Sequence, residues 1–128
     1  MMINKPSEKV VKYLTDTFET VNNSYTYLIH PKVWVSLQIH NNRCVALHRI
    51  ISFNTGKGYA SIALKRLCNI VDAEGCGIVL CIAPFQYDKT FKRNILKYHE
   101  LYRWYQRNGF KRDKRFSLNA YYRKPLNI

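Results

Sequence analysis

The chain has 128 residues, enough for one ordinary domain, and 47% of them are apolar, which excludes a disordered chain. Its apolar runs are short, and none approaches the ~20 residues that a membrane-spanning helix needs. The formal net charge of +13 indicates an anionic partner or ligand, or a surface that serves solubility alone. The N-terminus contains no apolar segment typical of a secretory signal. We therefore expect a single-domain, cytoplasmic protein without a membrane partner, either a monomer or a homodimer.

The four cysteines and four histidines show no spacing typical of a metal site. No CxxC pair occurs, and no histidine lies at ligand spacing from a cysteine. We predict that the cysteines are reduced packing residues, as expected in a cytoplasm. They are Cys44, Cys68, Cys76 and Cys81.

The first half of the chain predicts a helix followed by three strands. Residues 7–21 have apolar side chains at helical spacing, and Ser7 is placed to cap the helix. Residues 25–29 and 33–40 are rich in β-formers, and the second segment alternates strictly. A turn signal at residues 41–43 leads to a third strand over residues 44–53, so residues 33–53 should form a hairpin.

The second half predicts two further helices and two further strands. Residues 58–74 have a helical period and end at Gly75, which suits a C-terminal cap. Residues 78–83 form a buried strand that should run parallel to the third strand. After a basic loop over residues 85–95, an aromatic helix over residues 96–108 ends at Gly109. Residues 116–123 alternate as a closing strand, which predicts a mixed α/β sheet with helices on its faces.

The most informative segment lies between the third strand and the following helix. Residues 54–61 read NTGKGYAS, where glycines allow a tight turn and leave the first helical N–H groups free. Such a turn can hold a pyrophosphate. A Walker A loop is excluded because Gly58 follows Lys57 where Ser or Thr belongs. A dinucleotide fingerprint is excluded because Ser61 stands in place of the third glycine.

Two motifs resemble those of the GNAT acetyltransferases. The segment TGKGYASIAL, residues 55–64, resembles the family's coenzyme-A loop, Q/R-x-x-G-x-G/A, with Gly58 and Ala60 at its small positions. Thr55 replaces the initial Gln or Arg of that pattern. The segment LYRWYQRNGF, residues 101–110, resembles the family's second motif, an aromatic helix with a tyrosine four residues before a Gly-Phe pair.

The resemblance covers about residues 33–123 and has the general look of the compact GNAT proteins carried by bacteriophages. It implies the GNAT fold, a mixed and mostly antiparallel sheet whose central parallel strands splay around coenzyme A, with helices on both faces. It also implies an N-terminal part shorter than in typical members. The cofactor implied is acetyl-CoA. The residues implied to contact it are Ile50, Ser52, Thr55, Gly56, Lys57, Gly58, Tyr59, Ala60 and Ser61.

The implied reaction is direct attack of an amine on the acetyl thioester. A lysine-like amine, with a pKa of about 10.4, must first lose a proton, and the thiolate must gain one as it leaves. The resemblance places the general acid at Tyr105, whose alternative is an ordinary core aromatic.

The general base is left open by the sequence. The third strand contains no carboxylate, so His48 is the candidate, because its ordinary pKa suits base chemistry near neutral pH. Strand alternation puts His48 on one face with Ala46, Ile50 and Ser52. A hydrogen-bonded structural histidine, Glu100 and a water relay are alternatives.

Positive charge is concentrated near the C-terminus, where residues 84–128 hold twelve basic and three acidic groups. In the family fold this region flanks the acceptor mouth, which implies an acidic acceptor or partner. The acceptor amine would belong to a protein, a nucleic acid or a small molecule. An alternative function is a GNAT-fold protein with little or no turnover that binds nucleic acid or a host protein through this basic region. The candidate contacts are Lys89, Lys92, Arg93, Arg103, Arg107, Lys111, Arg112, Lys114 and Arg115.

Overall fold

The structure is a computed structural model that describes residues 5–21, 25–52, 58–81, 87–88, 93–94, 98–117 and 120–126, with the main chain alone at residues 81, 87–88, 93–94 and 98–101. No helix within these ranges is both long enough and apolar enough to cross a bilayer. The helices are α1 (Pro6–Thr17), α2 (Tyr59–Ala73) and α3 (Tyr98–Arg107); the strands are β1 (Thr26–His30), β2 (Val33–Asn41), β3 (Cys44–Ser52), β4 (Gly77–Cys81), β5 (Tyr87–Asp88), β6 (Arg93–Asn94), β7 (Lys111–Arg112) and β8 (Ala120–Arg123).

A six-stranded mixed sheet organises the protein, with the strand order β1-β2-β3-β4-β8-β7. The pair β3–β4 is parallel, as the sequence predicts for a strand–helix–strand unit, and the other neighbours are antiparallel. The strands β5 and β6 pair with each other in a separate sheet. They lie where the sequence predicted a loop, so that prediction is wrong at these residues.

The face of the sheet that contacts the helices, here called the inner face, holds the main core. Alternate residues of β2, namely Val33, Val35 and Leu37, are fully buried there. The helix α2 packs its apolar stripe on them through Leu64 and Leu67. Apolar side chains recur at every second residue of β2 and about every 3.6 residues of α2, so each element has one apolar surface, and these two surfaces pack together.

All three helices lie on the inner face, whereas the sequence predicted helices on both faces. The helix α1 contacts β2, β3 and α2. The helix α2 is joined to Arg123 on β8 through Asp72. Tyr102 of α3 packs edge-on against Tyr121, two residues before Arg123 and hence on the same face of β8. No helix of the described residues covers the opposite face.

That opposite face, here called the outer face, has a smaller cluster of its own. Cys44, Val79 and Ala120 are buried there, and Phe116 packs over them from the turn before β8. The ring of Phe116 lies between His40 and Tyr122, with centroid distances of 5.5 Å and 5.2 Å. The short side chains of Cys44, Val79 and Ala120 on the central strands therefore leave room for the ring of Phe116, which covers one part of this face.

The N-terminal helix differs from its prediction at both ends. Lys5 rather than Ser7 is the N-cap, because Pro6 occupies the first helical turn, where its fixed φ favours helix initiation. The Ser7 side chain is buried instead. The helix ends at Thr17 rather than at residue 21, and the next residues pair with the edge of β1 through a bridge between Thr20 and Tyr27.

The C-terminal strands are shorter than the alternation predicted. The strand β8 begins at Ala120, and β7, which the sequence did not predict, pairs with it through Lys111 and Arg112. The predicted helix-ending glycines are confirmed, since Gly75 and Gly109 have φ values of 65° and 94°. Such left-handed conformations favour glycine over residues with a β-carbon.

Three of the cysteines are buried thiols, as predicted, and Cys81 lies outside the described side chains. Burial raises the pKa of Cys68 to about 11 and that of Cys76 to about 12. Burial also raises the pKa of Cys44. All three thiols are therefore protonated at neutral pH and pack as small apolar groups.

Candidate cofactor-binding site

The candidate site lies where β3 ends and α2 begins. Along one edge, β3 pairs with β2 from Cys44 to Ser52. Along the other edge, the described part of β4 pairs with β3 only from Cys44 to Ala46. The continuation of β4 pairs with β8 up to Cys81. Within the described residues, the two parallel strands thus pair with each other only at their N-terminal ends.

A β-bulge interrupts β3 at His48. Ser36 of β2 pairs with Arg49, and Leu37 pairs with Leu47, so His48 is the extra residue between them. A bulge bends the strand and increases its twist, and bulges are frequent beside active sites. His48 is exposed.

The bulge overturns the predicted arrangement of side chains along β3. Ala46 packs in the outer cluster, whereas Ile50 packs against the inner core. Ser52 pairs with the buried Val33 and is itself buried. One extra residue inverts strand alternation, so His48 does not share a face with Ala46, Ile50 and Ser52 together. The main chain from Ile50 to Ser52 nevertheless lies beyond the paired part of β3 and β4.

The start of α2 has the geometry expected for an anion site. Gly58 is the N-cap, with φ 76°, and no side chain among the described residues caps the helix. The first helical hydrogen bond runs from the Ile62 N–H to the Gly58 carbonyl, so the preceding N–H groups are not used inside the helix. A β-carbon at Gly58 would meet no atom within 4 Å. The predicted contacts Thr55, Gly56 and Lys57 lie outside the described residues.

Tyr59, a predicted cofactor contact, forms a stack that the sequence did not reveal. Its ring lies 4.7 Å from that of His30, with 25° between the planes. The Lys32 N–H donates a 3.0 Å hydrogen bond to His30 Nδ1, which fixes the imidazole orientation. The position of His30 before Pro31 indicates the end of a strand, but no local sequence pattern predicts that its ring contacts Tyr59 at the start of α2.

Ser61, predicted to contact phosphate, is joined to the aromatic helix. Trp104 Nε1 donates a 2.8 Å hydrogen bond to Ser61 Oγ, so that oxygen already accepts one bond. The hydroxyl hydrogen can still be donated elsewhere. Ala60 is half-buried beside it. This bond holds α3 against the first turn of α2, and no local pattern predicts a pairing of residues so far apart in sequence.

Tyr105, the predicted general acid, sits next to this junction. Its ring lies 4.9 Å from Trp104 and 5.3 Å from Phe110, and it packs against the inner core. The Tyr105 carbonyl accepts N–H hydrogen bonds from Asn108 and Phe110 where α3 ends. Burial raises the pKa of the Tyr105 phenol well above its ordinary value, so the group holds its proton at neutral pH.

The predicted basic region is not a single surface. Lys111 pairs with Tyr122 and Arg112 with Tyr121, so the two side chains belong to opposite faces. Arg115 pairs with Asp113 at 2.6 Å while staying 79% exposed. The exposed members are Arg103, Arg107, Lys111, Arg112, Lys114 and Arg115. Lys89 and Lys92 lie outside the described residues, as does the side chain of Arg93.

In the part of the chain that the structure describes, the site therefore combines parallel strands that pair only at their N-terminal ends, a helix start without a side-chain cap, and a partly buried tyrosine on a helix that contacts this start. Comparisons of the chain with protein-family models, with curated proteins and with solved structures find no match.

Proposed function

We propose that the protein is an acetyl-CoA-dependent N-acetyltransferase. The observation that carries the proposal is the β3–α2–β4 unit: its parallel strands, as far as they are described, pair only at their N-terminal ends, and its helix begins at Gly58 without a side-chain cap from a described residue. Ligands of parallel α/β units bind at the carboxyl ends of the strands, where the following helix begins. The sequence resemblance to the GNAT family supports the same assignment.

The residues at the start of α2 fit a pyrophosphate. Three features favour an anion there: helical N–H groups not used in the helix, the positive end of the helix dipole, and open space beside Gly58. Gly58 suits close approach of a ligand to the main chain, since its left-handed φ of 76° is unfavourable for most other residues. Tyr59 and His30 form an aromatic wall beside it.

In this proposal Tyr105 supplies a proton and His48 removes one. Bound acetyl-CoA would supply an activated acetyl group, whose carbonyl carbon bonds to the acceptor nitrogen as its bond to sulfur breaks. Tyr105 would protonate the departing sulfur, which its protonated state at neutral pH permits. His48, exposed at the bulge, would take the proton of the amine.

Binding of acetyl-CoA measured by isothermal titration calorimetry tests the cofactor site. The matched variants are Gly58→Asp and Gly58→Asn. Both side chains tolerate a left-handed N-cap, and they have nearly the same size. The Asp variant places a carboxylate among the N–H groups, so we expect affinity at least about tenfold lower than in the Asn variant.

Transfer is tested separately, by release of the free CoA thiol and by mass spectrometry of acceptors for an added acetyl group. A panel of a polyamine, a lysine peptide, a transfer RNA and an aminoglycoside covers basic and acidic acceptors. Equal acetyl-CoA affinity in the folded Asp and Asn variants would refute the cofactor site. Binding without transfer to any acceptor would favour the alternative of a GNAT-like binding protein.

A further inference from the structure

Acidic residues are unevenly distributed over the protein. The described carboxylates of the helical layer are Glu8 and Asp16 in α1 and Asp72 in α2, with Glu74 just after it. The strands β1, β2, β3, β4, β7 and β8 contain none. From residue 20 to residue 71 the sequence has no acid at all. The six strands of the main sheet thus contain cations, among them Arg49 and Lys111, and no acidic residue.

Strand pairing arranges the outer face in rows. Leu28 of β1 pairs with Trp34 of β2, and Trp34 pairs with Ile51 of β3, which gives an apolar row across three strands. These three side chains are half-buried and belong to neither core cluster. The Trp34 ring therefore has no packing role in the described core that would explain its presence.

The next row is polar and basic, and it consists of Thr26, Ser36 and Arg49. The third row begins at Gln38, passes through Ala46 and Val79 of the outer cluster, and ends on Tyr122 and Lys111. Arg49 and Lys111 are exposed, and the Phe116–Tyr122 stack supplies a second aromatic position.

From this arrangement we propose that the outer face binds single-stranded nucleic acid, with Trp34 stacking on an unpaired base and the cations contacting phosphates. Aromatic side chains on a positively charged sheet surface are the combination that single strands recognise. Bases of a duplex are already stacked on one another, so an aromatic ring gains little from them. This activity is independent of the proposed acetyl transfer and uses other residues.

Other occupants fit the face less well. A second copy of the chain would bring two positively charged surfaces together, which repel each other. An acidic peptide could contact the exposed Arg49 and Lys111 but would give Trp34 no base to stack on.

Fluorescence anisotropy of a labelled single-stranded oligonucleotide tests the proposal. Trp34→Leu keeps apolar contact with Leu28 and Ile51 but removes the aromatic ring, and it should weaken binding about 5- to 150-fold. Trp34→Phe should retain most of the affinity. The matched control is Tyr13→Leu, which removes an aromatic ring that is 47% exposed on α1. We expect that control to bind like the wild type.

The charge contribution is tested by salt dependence. The slope of log K against log salt should be roughly −0.7 for each phosphate neutralised. Lys111→Glu should make the slope shallower, whereas Lys9→Glu, which reverses an exposed charge on α1, should leave it unchanged.

Tryptophan fluorescence gives a readout that charge alone does not change. The chain has two tryptophans, Trp34 and Trp104. In a Trp104→Phe protein, the oligonucleotide should quench the remaining Trp34 emission by stacking. In a Trp34→Phe protein, the emission of Trp104 should change little.

Three results would overturn the proposal. The first is equal affinity of Trp34→Leu, Tyr13→Leu and wild type for the oligonucleotide. The second is duplex DNA of the same length binding as tightly as the single strand. The third is a poly-glutamate peptide that displaces the oligonucleotide and is weakened as much by Trp34→Leu, which would assign the face to an acidic protein. Acetyl-CoA titration of Trp34→Leu and Tyr13→Leu should give wild-type affinity, so failure here is distinguishable from failure of the acetyltransferase proposal.

Discussion

The inner and outer faces of the sheet differ sharply although the same strands build both. On β2, Val33, Val35 and Leu37 are fully buried against the helices, while Trp34 between them is only half-buried. Burying such aliphatic side chains contributes about 1.5–3 kcal/mol each, and most of the buried apolar side chains of the described residues lie in the inner core. The outer face, on which Trp34 is half-buried, contributes less apolar burial to folding.

Charges follow the same division. On the inner face, Arg123 forms a two-pronged ion pair with Asp72, with bonds of 2.7 Å and 2.8 Å, and its Nε donates to the Asn108 carbonyl. These groups join α2, the end of α3 and β8. On the outer face, Arg49 and Lys111 are exposed cations. Charge on the inner face is therefore structural, whereas the charged side chains of the outer face are open to solvent.

The largest expected effect is the loss of this buried ion pair. Asp72→Ala leaves Arg123 as a buried, unpaired charge, and such losses cost about 3–5 kcal/mol of unfolding free energy. The matched control is Asp16→Ala, which breaks the exposed Lys12–Asp16 pair and should cost roughly 0.3–0.5 kcal/mol. Urea unfolding followed by circular dichroism measures both. Equal losses in the two variants would contradict the structural role of the inner pair.

The same pair should give a pH signature. Burial alone would raise the pKa of Asp72, but hydrogen bonds from Arg123 and the Leu126 N–H outweigh it, and the pKa lies below its ordinary value. A lowered pKa means that the stabilisation is complete above the unfolded-state pKa and is lost as pH falls through the folded-state pKa. The unfolding free energies of wild type and Asp72→Ala should therefore converge in acid.

The next effect compares neighbouring residues on β2. Leu37 is fully buried on the inner face, and Gln38 is exposed on the outer face. Leu37→Ala should cost about 2–5 kcal/mol through lost burial and a cavity, whereas Gln38→Ala should stay within about 0.5 kcal/mol. Thermal and urea unfolding measure the difference. A large loss for Gln38→Ala would show that the outer face is also part of the folding core.

The smallest effect on stability is expected at Tyr105, where the inner face meets the candidate site. Tyr105→Phe keeps the ring contacts with Trp104 and Phe110 and removes one oxygen, so we expect a stability change below about 1 kcal/mol. If acetyl transfer is the function, turnover should fall about 10²–10⁴-fold with unchanged acetyl-CoA affinity. Steady-state kinetics and calorimetry separate the two. Wild-type turnover in the Tyr105→Phe variant would show that Tyr105 has only a structural role.

The sequence alone determined the features set by local physics. Alternation predicted β2, the turn signal at residues 41–43 predicted that β3 follows it, and helical periodicity predicted α2. The helix-ending roles of Gly75 and Gly109 followed from the need for left-handed φ. The net charge of +13 and its concentration toward the C-terminus are also properties of the sequence. The strand, helix and glycine predictions each depend only on neighbours within a few residues, and the net charge depends only on composition.

The tertiary structure decided what depends on distant partners. The bulge at His48 exists only relative to β2, and it moved Ile50 and Ser52 onto the inner face. The Trp104–Ser61 bond joins residues 43 apart in the chain. Pairing with β8 created β7 at Lys111 and Arg112 and sent those cations to opposite faces. Strand register and helix packing depend on which apolar surfaces are buried against each other, so they cannot be predicted from a short sequence segment.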